Sequence, residues 1–269
     1  MPADPPVPAA PAAPDGSAAR PPLLRELLLV GALYTVYRLG RTAAEGHVPR
    51  AFRNASDVWH LERLLHLPSE GDIQRVLLHS DVLVHAANAF YATVHFPATV
   101  AFLVWTYWRR PAHYVWIRRV LTALTGAGLA LHLLLPLAPP RMLEATGLVD
   151  TARVYGPAVY GDPATDSLSN QFAAMPSLHV GWALTVAVGL IAATRSRGRW
   201  LWLLHPLVTF LVVVGTANHY WLDGIVAIAL TGAALLLLRP PARTPAPPQG
   251  RPPAVPGPRS PLGVQAPAH

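Results

Sequence analysis

Cysteine is absent from this 269-residue chain, and so is lysine: all 21 basic residues are arginine. The first absence excludes disulfides, thiolate metal sites and a cysteine nucleophile. The second, beside heavy alanine use and 30 prolines, reads as the codon bias of a GC-rich genome. Charge of either sign is also scarce. Asp, Glu, Lys and Arg make up 13% of the residues, where a soluble domain carries about 25%. With 52% hydrophobic residues and positive mean hydropathy, this is the profile of a chain solvated largely by lipid. The formal charge of +7 would suit a nucleic-acid partner. The arginines, however, cluster between apolar runs, where a membrane protein keeps them, and no nucleic-acid partner is expected.

Residues 1–21 and 240–269 are rich in Pro, Ala and Gly without apolar periodicity, and read as disordered tails. The N-terminal stretch lacks the basic-then-apolar order of a cleavable signal peptide, so the first apolar run is expected to remain as an anchor. Between the tails, 22–239 reads as one membrane domain. A bilayer-spanning helix needs about 20 apolar residues, and six runs approach that: 23–39, 84–108, 115–137, 178–194, 200–217 and 221–238. The fold expected is all-α, a polytopic six-transmembrane-helix bundle. In its first outer loop (40–83), two amphipathic stretches, 58–67 and 73–86, read as helices lying on the membrane surface.

The arginines orient the bundle. Arg109, Arg110, Arg118 and Arg119 flank the turn between spans two and three, and Arg195, Arg197 and Arg199 the turn between four and five. Arg20 and Arg25 precede or open the first span, and Arg239 and Arg243 follow the last. All fall on one side, expected to be cytoplasmic. The prediction is a multi-pass cell-membrane protein with both termini inside.

Polar residues then stand at the outer ends of three spans. Span three ends in PLAPPRML with Arg141, span four opens in MPSLH with Ser177 and His179, and span six opens in ANHYWLD with Asn218, His219 and Asp223. Topology brings these segments to one level on the extracytoplasmic side. His219 and Asp223 are four apart on one helical face. A carboxylate there fixes the imidazole tautomer and leaves the other ring nitrogen to attack. His179 and His219 lie near helix N-termini, which attract phosphate, and Arg141 offers a planar bidentate donor. One histidine can attack phosphorus while the other protonates the leaving oxygen. This arrangement calls for no metal and no cofactor.

At these residues the sequence resembles the type 2 phosphatidic acid phosphatase superfamily, over roughly residues 80–240. Its form is most similar to the branch of inositol phosphorylceramide synthases and their bacterial relatives, inositolphosphotransferase-like enzymes. The anchors are APPR (138–141), MPSLH (175–179) and NHYWLD (218–223). The resemblance implies His219 as nucleophile, Asp223 as the acid that orients it, and His179 as handler of the leaving-group proton. It implies Arg141 and Ser177 as phosphate-binding residues. Six helices and an outward-facing site are implied too. Leu178 replaces the glycine of the general Pro-Ser-Gly-His pattern, and Val212 and Val213 stand where Ser-Arg is usual. These departures favour the synthase-like branch and leave the phosphate-binding set incompletely assigned.

A polar stripe in span two, Asn88, Tyr91 and His95 at i, i+3, i+7, should face the bundle interior. It reads either as support for the site or a headgroup pocket, or as buried structural hydrogen bonding, with Asn218 as a further supporting residue. His132 reads as structural, and His85 takes no role. The implied partner is a membrane lipid bearing a phosphate. Water as acceptor would make the chain a phosphatase, and an alcohol a transferase; a catalytically silent scaffold of the same fold is the reading from another class. Oligomeric state is not legible.

Overall fold

The computed structural model describes residues 20–43, 48–157 and 172–241; the expected tails lie almost wholly outside the described residues. The regular structure among the described residues is helical, apart from one isolated bridge between Leu137 and Ala173. The elements are α1 (Leu23–Ala43), α2 (Val48–Leu64), α3 (Glu70–Leu78), α4 (Asp81–Thr93), α5 (His95–Arg109), α6 (Pro111–Leu134), α7 (Thr151–Tyr155), α8 (Leu178–Ala193), α9 (Leu204–Gly215) and α10 (Trp221–Leu237).

Local chemistry sets the boundaries. Ser69, Ser80, Asp150 and Ser177 accept backbone N–H bonds at the starts of α3, α4, α7 and α8, satisfying donors the helix itself cannot. Pro111 opens α6, where its missing N–H costs nothing. The expected second span is broken instead of continuous: α4 and α5 meet at 46°. Pro97 explains the break, since it cannot donate to Thr93 and its ring crowds that carbonyl.

Each of the six apolar runs is helical, but they differ in reach. Two helical segments, Pro111–Leu134 and Arg197–Gly215, are long and apolar enough to cross a membrane, and the bent α4–α5 pair makes a third. Helices α8 and α10 are apolar but have 16 and 17 residues, about 25 Å at 1.5 Å per residue against a core of about 30 Å. The outer surface is apolar, with Leu236 and Leu237 each 82% exposed. Such a surface suits lipid.

Between lipid-solvated helices the hydrophobic effect gives little, so close packing of small residues must hold the bundle. Gly189 of α8 admits the Phe102 ring and Ile117, and Gly224 of α10 admits Phe210; a Cβ at either would collide. Helix α8 packs against α5, α6, α9 and α10 and so forms the centre.

The two ends of the bundle are built differently. At one end Glu26 of α1 is buried and ion-paired with Arg118, and the Tyr114 hydroxyl donates to it at 2.6 Å. Glu26, a charge within the first apolar run, is thus neutralised inside the bundle. At the other end α2 does more than lie on a surface. Its Ala51, Ala55 and Val58 pack on Leu137, Ala138, Ala174, Met175 and Tyr220. Helix α3 packs on α9, with Ile73 and Leu77 against Gly215. The second amphipathic stretch divides at Ser80, its remainder opening α4.

Candidate active site

The end of the bundle covered by α2 gathers three connections: the turn after α6, the loop before α8 and the α9–α10 turn. In the last of these Ala217 takes a left-handed φ of 56°, uncommon for a residue with a Cβ. The Val213 carbonyl accepts both Asn218 N–H (3.0 Å) and His219 N–H (3.1 Å), and the Ala217 carbonyl accepts Arg141 N–H at 3.0 Å. This tight reversal turns His219 back towards the bundle.

His219 is buried, and its Nδ1 faces two acceptors: the Ala174 carbonyl at 2.9 Å and Asp223 Oδ2 at 3.2 Å. A nitrogen between two acceptors must carry the proton. In the neutral ring the lone pair is therefore on Nε2. Asp223 is fully buried. Its Oδ2 also accepts Tyr220 N–H at 2.9 Å, and its Oδ1 is buried without a hydrogen-bond partner.

His179 lies in the first turn of α8, and its ring is 5.9 Å from that of His219, centroid to centroid. Tyr91 stacks on His179 at 4.5 Å with an interplanar angle of 22°, and His95 approaches it at 4.5 Å. His95 in turn lies 5.2 Å from Trp182. The bend between α4 and α5 comes immediately before His95, so the break found in the second span is the feature that presents this residue.

The remaining polar residues serve the loops. Arg141 Nη1 donates to Asn218 Oδ1 at 2.5 Å, and Nε lies 3.5 Å from Asp150 Oδ2. Asn218 Nδ2 donates to Thr216 at 2.8 Å. Ser177 N–H is committed to the Asp223 carbonyl at 3.0 Å, while its Oγ accepts Val180 N–H. Of its donors, only the hydroxyl hydrogen is left for a ligand. Asn88 binds elsewhere, donating to the Thr151 and Gly156 carbonyls and accepting from the Thr151 hydroxyl. Its contacts are with the loop around α7. His132 Nε2 lies 3.3 Å from the Pro176 carbonyl, a contact that supports the loop before His179.

The two departures in the motifs have packing counterparts. Leu178 fits against Gly128 of α6, whose missing Cβ makes the room. Val212 and Val213 are core residues beside Val180 and Ala227, and no basic group comes from there. Sequence reading missed Trp182, the Ala174 carbonyl and Asp150. Trp182 was findable, being i+3 from His179; a backbone carbonyl has no signature in sequence. Among the described residues no three or more His, Asp or Glu are grouped to hold a metal ion.

A family model described as the PAP2 superfamily matches residues 56–237, from within α2 to the end of α10. No curated protein and no solved structure matched. The match takes in all three connections and every residue of the His219–Asp223–His179 cluster, and leaves α1 outside.

Proposed function

The chain belongs to the PAP2 superfamily, and from that premise we propose that it transfers a phosphoryl group from a membrane lipid phosphate through a phosphohistidine at His219 Nε2. Membership makes it a membrane enzyme of the lipid-phosphate phosphatase and phosphotransferase class. The observation that carries the finer reading is His219 Nδ1 held between the Ala174 carbonyl and Asp223.

In the first step Nε2 attacks phosphorus and the bond to the lipid oxygen breaks. His179, protonated, gives that oxygen its proton. The His219 ring is now N-phosphorylated and cationic, and the Asp223 carboxylate against its Nδ1–H stabilises that charge. In the second step an acceptor hydroxyl attacks phosphorus, neutral His179 takes the hydroxyl proton, and the N–P bond returns its electrons to Nε2. Every proton is accounted for on the two histidines. Arg141 and the Ser177 hydroxyl bind the phosphoryl oxygens in this reading, phosphate displacing Asp150 from the guanidinium. Tyr91 and His95 hold the His179 ring between them.

The acceptor is taken to be an alcohol, as in an inositolphosphotransferase-like enzyme. Leu178 in its Gly128 notch favours this over a simple phosphatidic acid or polyprenyl-phosphate phosphatase, because the chain keeps the Pro-Ser-Leu-His form with a dedicated packing partner. We place the site on the extracytoplasmic side of a six-span bundle with both termini cytoplasmic. The one-sided arginines and the six apolar helices support that placement.

The test is turnover of labelled lipid phosphates and phosphoinositides by purified protein in detergent with EDTA, with and without an alcohol acceptor. Label reaching the alcohol is expected, and it should vanish in His219→Ala. Inorganic phosphate as sole product, acceptor present, would make the protein a phosphatase. Activity lost to EDTA or kept by His219→Ala would refute the histidine mechanism.

A further inference from the structure

Beneath α2, apart from the residues assigned above, two carboxyl side chains are buried together. Glu62 of α2 is 0% exposed and Glu70 of α3 is 2% exposed. Arg63 is the cation beside them, its Nη2 3.1 Å from Glu70 and 3.7 Å from Glu62. One arginine cannot neutralise two buried carboxylates, and two such charges in contact cannot both persist away from water. Arg63 lies nearer to Glu70, and Glu62 Oε2 is buried with no hydrogen-bond partner, so Glu62 is the carboxyl whose charged form is disfavoured.

Glu62 also reaches across the fold. Its Oε1 accepts Leu222 N–H at 2.7 Å. Leu222 lies in the first turn of α10, where backbone N–H groups have no helical partner. Within that turn Asp223 Oδ2 accepts Tyr220 N–H and faces His219. Two carboxyl groups thus hold one turn of helix: Asp223 from within, and Glu62 from a different helix 160 residues away in sequence.

We propose that Glu62 is a positioning residue for the histidine chemistry: its buried carboxyl caps the first turn of α10 through Leu222 and so holds Asp223 and His219 in alignment. This rests on the reading of His219 as nucleophile. The groups facing Glu62 are Arg63 on its own helix, Glu70 on α3, and Tyr220 and Asp223 at the start of α10. Arg63 is the sole cation in that set; both carboxylates oppose a further negative charge. Burial, the contact with Glu70 and the nearby Asp223 raise the Glu62 carboxyl from its ordinary value of 4.5 to about 9. Burial and the same three carboxyls also push the Tyr220 hydroxyl up. Losing the Glu62 proton would place an uncompensated charge beside Asp223. The relief available is for α2 to lift, which frees Leu222 N–H and loosens the turn.

The sign of the pH effect follows. The folded state holds this proton more tightly than the unfolded chain, so its stabilisation is complete below about pH 4.5 and is lost as pH rises to about 9. Glu62→Gln keeps the acceptor for Leu222 and stays uncharged beside Glu70, so it imitates the protonated state at every pH.

The experiment is the pH profile of kcat and KM for full-length wild type, Glu62→Gln and Glu62→Ala in detergent, with His219→Ala as control and Tm followed across the same range. Wild-type kcat should fall about tenfold per pH unit beyond the alkaline limb near 9. Glu62→Gln should keep a plateau kcat within threefold of wild type, lack that limb, and show a flatter Tm between pH 5 and 9. Glu62→Ala should lose at least tenfold in kcat with KM within twofold. An unchanged alkaline limb in Glu62→Gln would overturn the proposal, even where Glu62→Ala fails to fold. Activity in His219→Ala would instead overturn the histidine reading on which it rests.

Discussion

At the scale of the residue, the catalytic reading depends on which atom of Asp223 is used. Both Tyr220 N–H and His219 Nδ1–H converge on Oδ2. Asparagine at 223 can put its amide oxygen there and preserve the tautomer while removing the charge. Asp223→Asn is therefore predicted to fold with a Tm near wild type and to lose about a hundredfold in kcat, the usual worth of one electrostatic stabiliser; a loss under threefold would mean that the carboxylate charge is not used. The Tyr91 ring on His179 acts by stacking, and such a pair is worth about 0.5–1.5 kcal/mol. Tyr91→Ala should lower kcat between about twofold and tenfold. These residues were partly legible in sequence. His179, His219 and Asp223 stood out because ionisable groups are rare in apolar runs. The stripe of Asn88, Tyr91 and His95 was visible too, yet sequence could not divide it: on α4 Asn88 binds the loop at Thr151 while Tyr91 stacks on His179, and the break after Thr93 adds His95 of α5 to that histidine.

Among the elements, two features position the site without touching substrate. The Pro97 break sets the direction of α5, and the Gly128 notch receives Leu178, the residue before His179. A bulky side chain at 128 must displace Leu178 and turn the start of α8. Overpacking of this kind costs about 1–3 kcal/mol, so Gly128→Leu should lower Tm by several degrees and kcat by more than tenfold, measured by thermal unfolding and turnover. Full activity would show that Leu178 can move independently of its neighbour. Helix existence was readable from apolar runs, whose periodicity is local. The role of α2 was not. Its amphipathic face is the same whether it meets lipid or the Leu137–Tyr220 cluster, and only the tertiary contacts separate these. Glu62, within the first amphipathic stretch, gave no signal of its own for the same reason.

For the whole molecule, the bundle has one end sewn by Arg118, Glu26 and Tyr114 and the other covered by α2 and the site. That polarity accords with the arginine asymmetry from which cytoplasmic termini are proposed. The absence of cysteine makes the proposal directly testable, since any thiol introduced is the only one. Glu144→Cys, exposed in the turn after α6, should react with a membrane-impermeant maleimide on intact cells. Arg197→Cys, exposed at the opposite end, should react only after lysis. The reverse pattern would invert the topology. The number of spans was less legible than their positions. Sequence windows count apolar residues and do not give helix ends: α8 and α10 have 16 and 17 residues, short of the bilayer thickness.

The central claim is a covalent bond between phosphorus and His219. It is tested most directly by acid-free quenching of the full-length protein during turnover of a ³²P-labelled lipid phosphate, followed by mapping of the labelled peptide. The account predicts label on the peptide holding His219, stable to base and lost in acid, absent from His219→Ala and accumulating in His179→Ala if the second step is slowed more than the first. Turnover with no label on His219, or label on another residue, would contradict it.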